Sequence, residues 1–156
     1  MKRRKNGLTG LAVLIGALAL GGCTGGAAPI DSGLIEQRLA PCPDKPNCVS
    51  SQADKASQRV EALRYSGAAA AAQERLLIML KGMDRVRIRH ADANYIHAEF
   101  RSALFGFVDD VTLHFAAPGT IQVRSASRVG HSDFGVNRQR VEAIRSRFAA
   151  TAGTAS

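Results

Sequence analysis

Between residues 85 and 128 the chain alternates apolar and polar side chains in four successive runs, and no other feature restricts its fold as strongly. A period of two marks a strand with one buried face. In 85–91, Val86 and Ile88 alternate with Arg85, Arg87 and Arg89; in 95–102, Ile96, Ala98 and Phe100 alternate with Tyr95, His97, Glu99 and Arg101. In 107–115, Phe107, Val111, Leu113 and Phe115 share a face, and in 120–128 Ile121 and Val123 oppose Gln122, Arg124 and Arg128. Asp92-Ala93-Asn94 and Ala117-Pro118-Gly119 supply turns, and such short connections make neighbouring strands antiparallel.

Two helices complete the pattern. Residues 67–83 hold an alanine run followed by Leu76, Leu77, Leu80 and Met83 at helical spacing. Residues 137–149 place Val141, Ile144 and Phe148 on one stripe with arginines opposite. Both stripes cover the apolar side of the sheet. The expected architecture is α+β and two-layer: a four-stranded antiparallel meander, an extra short strand of ambiguous type at 59–65, and two helices on one face. Residues 34–40 predict one helical turn, and 151–156 a frayed tail.

Parity predicts the register. Core positions around Pro118-Gly119 are odd in both strands, which excludes two-residue and four-residue loops. A three-residue loop pairs Phe115 with Ile121, Leu113 with Val123, Val111 with Ser125 and Asp109 with Ser127, with Gly119 left-handed. On the other face Asp110 opposes Ala126, diagonal to Arg124 and Arg128. The first hairpin opposes Arg87 to Glu99 and Arg89 to His97. That outer face carries six arginines (85, 87, 89, 101, 124 and 128) against Glu99 and Asp110. It reads either as a solvated basic surface or as a docking face for anionic head groups or polyanionic envelope polymer. Asp109 points inward, where a carboxylate needs partners. Ser125, Ser127, the last helix's amides and Arg138 are the expected ones, unless a bulge near Gly106 turns it outward.

The amino-terminal segment concerns location. Lys2, Arg3, Arg4 and Lys5 precede an uncharged apolar run from Leu8 to Leu20, then Gly21, Gly22 and Cys23. The run is shorter than the ~20 residues of a membrane-spanning helix and has the layout of a secretory leader. It resembles a bacterial lipoprotein signal. That resemblance implies cleavage of residues 1–22, lipid on Cys23, and a membrane anchor facing the periplasm. Thr24 is not the aspartate of inner-membrane retention, so an outer-membrane location is expected if the host has two membranes. Residues 23–40 then form a flexible tether, 41–149 a single domain and 150–156 a disordered tail.

The chain's formal charge is +8, of which the leader carries four positive charges and no acid, leaving +4. Much of the basic character is therefore targeting signal, and a periplasmic address argues against nucleic acid as partner. In such a compartment disulfides persist. Cys42 and Cys48, in Cys-Pro-Asp-Lys-Pro-Asn-Cys, are expected to bridge, with a redox pair or two-thiolate metal site as alternatives.

Chemistry concentrates in Arg124-Ser125-Ala126-Ser127-Arg128-Val129-Gly130 and Ser132-Asp133-Phe134-Gly135-Val136-Asn137-Arg138, which run from strand through loop into helix. Arg124, Arg128, Gly130, Asp133, Asn137 and Arg138 have the ingredients of an anion pocket at a helix amino terminus. Asp109, Asp110, Ser125 and Ser127 form a polar network beside it. The competing arrangement is a closed salt-bridge knot. These motifs, with Pro46-Asn47-Cys48-Val49-Ser50-Ser51 and Phe107-Val108-Asp109-Asp110-Val111, resemble the domain-of-unknown-function 1499 family over residues 41–148. That resemblance implies a small domain often found in secreted or membrane-attached bacterial proteins, with no established activity and no catalytic residues to carry across.

Three functions follow. A tethered module could bind an anionic lipid or envelope polymer. A structural or interaction lipoprotein could use the same residues as a brace. A hydrolase-type enzyme could use Asp109 or Asp110 near Ser125 and Ser127, but no histidine is placed to activate either serine, and His131 lies in a loop of undetermined direction. His97, Glu99 and His114 suggest a metal site only weakly. No catalytic residue, metal ligand or cofactor is assigned.

Overall fold

The computed structural model describes residues 34–154. The leader, Cys23 and most of the expected tether lie outside them. The element order is β1 (Leu34–Ile35), β2 (Arg38–Leu39), β3 (Cys48–Ser50), β4 (Leu63–Arg64), α1 (Ala69–Lys81), β5 (Val86–Ala91), β6 (Tyr95–Arg101), β7 (Val108–Ala117), β8 (Thr120–Ser127) and α2 (Val136–Ala150).

The fold is α+β with antiparallel sheets and two helices. The main sheet has six strands rather than four. Its order is β3-β8-β7-β6-β5, with β4 also on β8. β3 and β4 are too short to show a period, and each pairs with a different stretch of β8: Cys48 with Ala126, and Leu63 with Ile121. The segment 34–40 is a hairpin, with Leu34 opposite Leu39, and not a helical turn. Residues Thr151–Thr154 make a 3-10 turn where a frayed tail was expected.

Helix α1 buries Ala72, Leu76 and Leu80, four residues apart on one stripe. Its alanine, glutamine and leucine content favours helix. It ends at Gly82, whose N–H returns to the carbonyls of Ile78 and Met79. Helix α2 buries Val141, Ile144 and Phe148. Both stripes meet Ile96, Ala98, Val111, Leu113, Ile121 and Val123 in one core on one side of the sheet. Full burial of each such aliphatic side chain contributes about 1.5–3 kcal/mol.

The register follows parity with two local corrections. Asp109 opposes Ser127, Val111 opposes Ser125, and Leu113 opposes Val123. Ala117 then pairs with Thr120, so the turn has two residues, Pro118 and Gly119. An irregularity in β7 between His114 and Ala117 restores the parity that a two-residue loop would break, and it absorbs the expected Phe115–Ile121 pairing. Gly119 is left-handed (φ +76), and its carbonyl accepts the Tyr65 N–H at 3.1 Å. In the first hairpin Arg87 faces Glu99, but a shift after Ile88 sets His90, not Arg89, opposite His97.

The second face is not open. His97, Glu99, Asp110, Thr112, His114 and Arg124 are all buried. β2 lies against β7 and β8 with Leu39 buried, and the disulfide-closed loop Cys42–Cys48 runs beside Arg124 and Arg128. Only Arg85, Arg87, Arg89 and Arg101 of the six outer-face arginines are exposed. Alternation marks which side chains share a face; it does not reveal that a distant hairpin will fold onto it.

Candidate functional site

Two acid–guanidinium clusters flank β7, one on each face. On the second face, β6 and β7 place Glu99 opposite Asp110, and Arg128 follows the end of β8. Arg128 Nε donates to Asp110 Oδ2 at 2.8 Å, and its Nη2 donates to Asp110 Oδ1 at 2.7 Å and to Glu99 Oε1 at 2.5 Å. His97 Nε2 lies 2.7 Å from Asp110 Oδ1, and Arg89 approaches Glu99 at 3.6 Å. Asp110 has no exposed surface. Burial alone would raise its carboxyl, but the hydrogen bonds and charges of Arg128 and His97 outweigh that and hold it at about 2. The bond to Asp110 chiefly pushes the Arg128 guanidinium further up, so it stays charged.

This carboxyl makes stability depend on pH. Its folded value lies below the ordinary 3.8, so it contributes stability fully present above that value and lost as pH falls from about 4 towards 2. The contribution is about 2 kcal/mol. Urea unfolding at about pH 6 and about pH 2 should show that loss in the parent protein and a flatter profile in Asp110→Asn. Equal pH slopes in both proteins would contradict the assignment.

On the core-facing side Asp109 points inward as alternation predicts. Its partner is Arg140, whose Nη2 donates to Asp109 Oδ2 at 2.6 Å, and not Arg138. Arg140 also lies over the Phe100 ring at 5.1 Å and donates through Nη1 to Asn137 Oδ1 and Ser125 Oγ. Asn137 is fully buried at the centre of this network. Its Oδ1 accepts from Ser125 Oγ at 2.5 Å, while its Nδ2 donates to Ser127 Oγ at 2.9 Å and to the Asn47 carbonyl at 3.0 Å. Asp133 caps α2, accepting from the N–H groups of Gly135 at 3.0 Å and Asn137 at 2.8 Å. The network thus ties β3, β8 and α2 together.

The six residues expected in one pocket fall into separate places. Arg138, Asp133, Ser132 and Gly135 border a cavity of about 420 Å³ together with Lys45 and Lys55. Arg138 itself donates to the carbonyls of Ser57 and Arg59, at 2.7 and 2.8 Å. Arg124, Arg128, Ser127 and Gly130 border a different groove of about 470 Å³ with Ile35, the 40–43 segment, Lys45 and Asn47. Asn137 belongs to the buried network. Sheet geometry explains the split: Arg124 and Arg128 project from one face of β8 and its continuation, whereas α2 packs on the other.

Arg140 is the functional residue that sequence reasoning missed. Asn137, Val141, Ile144 and Phe148 follow one helical stripe, and Arg140, three residues after Asn137, flanks it. That spacing signals an arginine at the edge of the core, next to an inward carboxylate. Arg138 points away from the stripe.

The contacts of both clusters are ion pairs and hydrogen bonds that brace the strands and α2. Asp110, ionised down to about pH 2, has no proton to donate near neutrality. Asp109 is paired with a guanidinium, and among the described residues no histidine bonds Ser125 or Ser127. Burial pushes the His114 imidazole down, against the opposing charge of Asp92, and its Nδ1 has no hydrogen bond. No three His, Cys, Asp or Glu side chains among the described residues are grouped to hold a metal ion.

The model of one protein family, Protein of unknown function (DUF1499), matches residues 38–148, the span that contains both clusters and all the residues named at the two grooves except Ile35. No curated protein and no solved structure matches the chain. With most of its length inside that match, and the Asp109–Asp110 and Arg124–Arg138 motifs at the centre of its polar networks, the chain belongs to the DUF1499 family.

Proposed function

We propose that this chain is a lipid-anchored domain of the bacterial cell envelope that binds an anionic ligand in the groove beside Arg128 and Gly130. In this reading residues 1–22 are a signal removed on export, Cys23 carries the lipid, and the domain faces the periplasm, on the outer membrane where the host has two. One observation carries the ligand class. Among the described residues the groove is bordered by Lys45, Arg124 and Arg128 and by no carboxylate. Arg128 Nε and Nη2 are engaged by Asp110 and Glu99, while Nη1 makes no hydrogen bond among the described residues. The buried Asn47 Oδ1 on the same groove also lacks a partner. An anionic group carrying a nearby hydroxyl or amide donor complements both atoms.

The second reading is a structural lipoprotein in which Arg128 and Arg140 only brace the sheet, and their ion pairs with Glu99, Asp110 and Asp109 favour it. Native mass spectrometry of the full protein, expressed with its leader and extracted from the envelope, separates the two. The binding reading expects an acylated chain beginning at Cys23 with an anionic molecule retained, and loss of that molecule in Lys45→Glu, where only an exposed side chain changes. An acylated but empty protein would leave the brace. A Cys23→Ser chain that stays in the membrane fraction as firmly as the parent would overturn the anchor.

A further inference from the structure

The exposed apolar side chains of this protein are gathered at one end. Among the described residues eight large hydrophobic side chains are exposed, and six of them are Leu104, Phe105, Phe107, Val129, Phe134 and Val136. These six lie in or beside the connections 102–107 and 128–135. The register brings both connections to the same end of the sheet: Asp109 opposes Ser127, and the Arg128 N–H donates to the Val108 carbonyl. Leu104, Phe105 and Phe134 are 81%, 70% and 92% exposed. The Phe105 and Phe107 rings already stack at 5.6 Å, so the tip is an assembled apolar surface. Clustered exposure of this kind marks an interaction site, unlike single surface leucines.

Two further observations identify what covers it. Exposed basic groups surround the tip. Arg101 is joined to Arg85 by a backbone hydrogen bond of 3.1 Å, and Lys45 and His131 lie on the neighbouring loops. Among the described residues the carboxylates nearby are mostly engaged: Glu99, Asp109 and Asp110 are buried in ion pairs, Asp133 caps α2 and Asp44 pairs with Lys55, which leaves Glu36 and Asp84. The described chain also begins at this end, because Ile35, a seventh exposed hydrophobic, borders the groove with Arg128 and Gly130. Leu34 stands eleven residues after Cys23, a reach of at most about 40 Å when fully extended.

We infer that this end is a bilayer-docking surface: Leu104, Phe105, Phe107 and Phe134 enter the interfacial layer of an anionic membrane, with Lys45, Arg85 and Arg101 at the level of the head-group phosphates. The inference rests on the anchored reading for the presence of the membrane, but the apolar tip is there whether or not Cys23 carries lipid. Interfacial side chains bury about 5–10 Å into the head-group boundary. A tether of this reach keeps the tip within range of the leaflet that holds Cys23. Docking in this orientation also turns the groove of Lys45 and Arg128 towards the head groups, which makes lipid phosphate its anionic ligand.

The chain contains no tryptophan, so Phe105→Trp and Ile78→Trp each install a single fluorescent reporter at an exposed position, one on the tip and one on the outer face of α1. The full protein extracted from the envelope is reconstituted into mixed phosphatidylcholine and phosphatidylglycerol vesicles. The Phe105→Trp emission is expected to shift to the blue and to be quenched by brominated acyl chains, while Ile78→Trp keeps its water-exposed emission. An unshifted, unquenched Phe105→Trp signal on a protein whose Cys23 is acylated overturns the inference. So does a blue shift present before vesicles are added and dependent on protein concentration, which would assign the tip to a second copy of the chain. A vesicle-dependent shift in a protein with no acyl chain supports the docking surface and removes the anchor instead.

Discussion

Arg128→Ala is expected to lower the unfolding free energy by about 3–5 kcal/mol, because it strands buried carboxylates without their guanidinium. Asp110 is fully buried and, among the described residues, would keep only His97 as a side-chain partner. Glu99, also buried, would keep Arg89 at 3.6 Å. The intact cluster need not add much net stability, since taking several charges out of water offsets most of their attraction. Breaking it is another matter: the desolvation cost remains and the compensation goes. Arg138→Ala is the control. It is half-buried and, among the described residues, its guanidinium bonds only the Ser57 and Arg59 carbonyls, so about 1 kcal/mol or less is expected. Adding Asp110→Asn to Arg128→Ala should recover part of the loss by removing one uncompensated charge. Urea unfolding near neutral pH measures all three, and an Arg128→Ala loss no greater than that of Arg138→Ala would contradict the buried-cluster account.

Asn137→Ala should cost about 2–4 kcal/mol through a different route, since it removes no charge. The side chain is fully buried and engages four partners. Without it Ser125 Oγ loses its acceptor, Ser127 Oγ its donor, and Arg140 one of two neutral acceptors. Each buried group left unsatisfied costs about 1–3 kcal/mol, partly relieved because the Asn47 carbonyl keeps the Ser127 N–H. The loss should be felt first where the network holds β3 against α2. Faster hydrogen exchange at the Ser127 amide is therefore expected, together with a lower midpoint of unfolding. A variant within about 0.5 kcal/mol of the parent, with Ser127 still protected, would mean that the network is replaceable by water.

Much of the fold was legible because its signals are local. The alternation of Val111 and Leu113 against Asp110 and Thr112 is visible in four consecutive residues and fixes two faces of β7. The stripes of α1 and α2 are visible within a few turns. Asp109 could be read as inward, and Asp110 as a partner of Arg128, because both statements need only parity and a hairpin register. The two bulges escaped, since an inserted residue leaves no mark in composition. So did β3; β4 falls within the short strand expected at 59–65, but the pairing of both with β8, more than fifty positions away, left no local signal. The site was less legible than the fold. The expected single pocket needed Arg128 and Arg138 to meet, yet they border separate cavities.

What the amino-acid sequence determined by itself is the four long strands β5 to β8, the inward turn of Asp109 and the helix stripes, all consequences of backbone periodicity acting over a few residues. Only the tertiary structure decided that Arg140 answers Asp109, that the β1–β2 hairpin closes over the second face, and that six exposed hydrophobic side chains gather at one end. Those outcomes depend on contacts such as Asn47 with Asn137, ninety residues apart. Such pairs are chosen by which segments can bury surface together, and no local period encodes that choice.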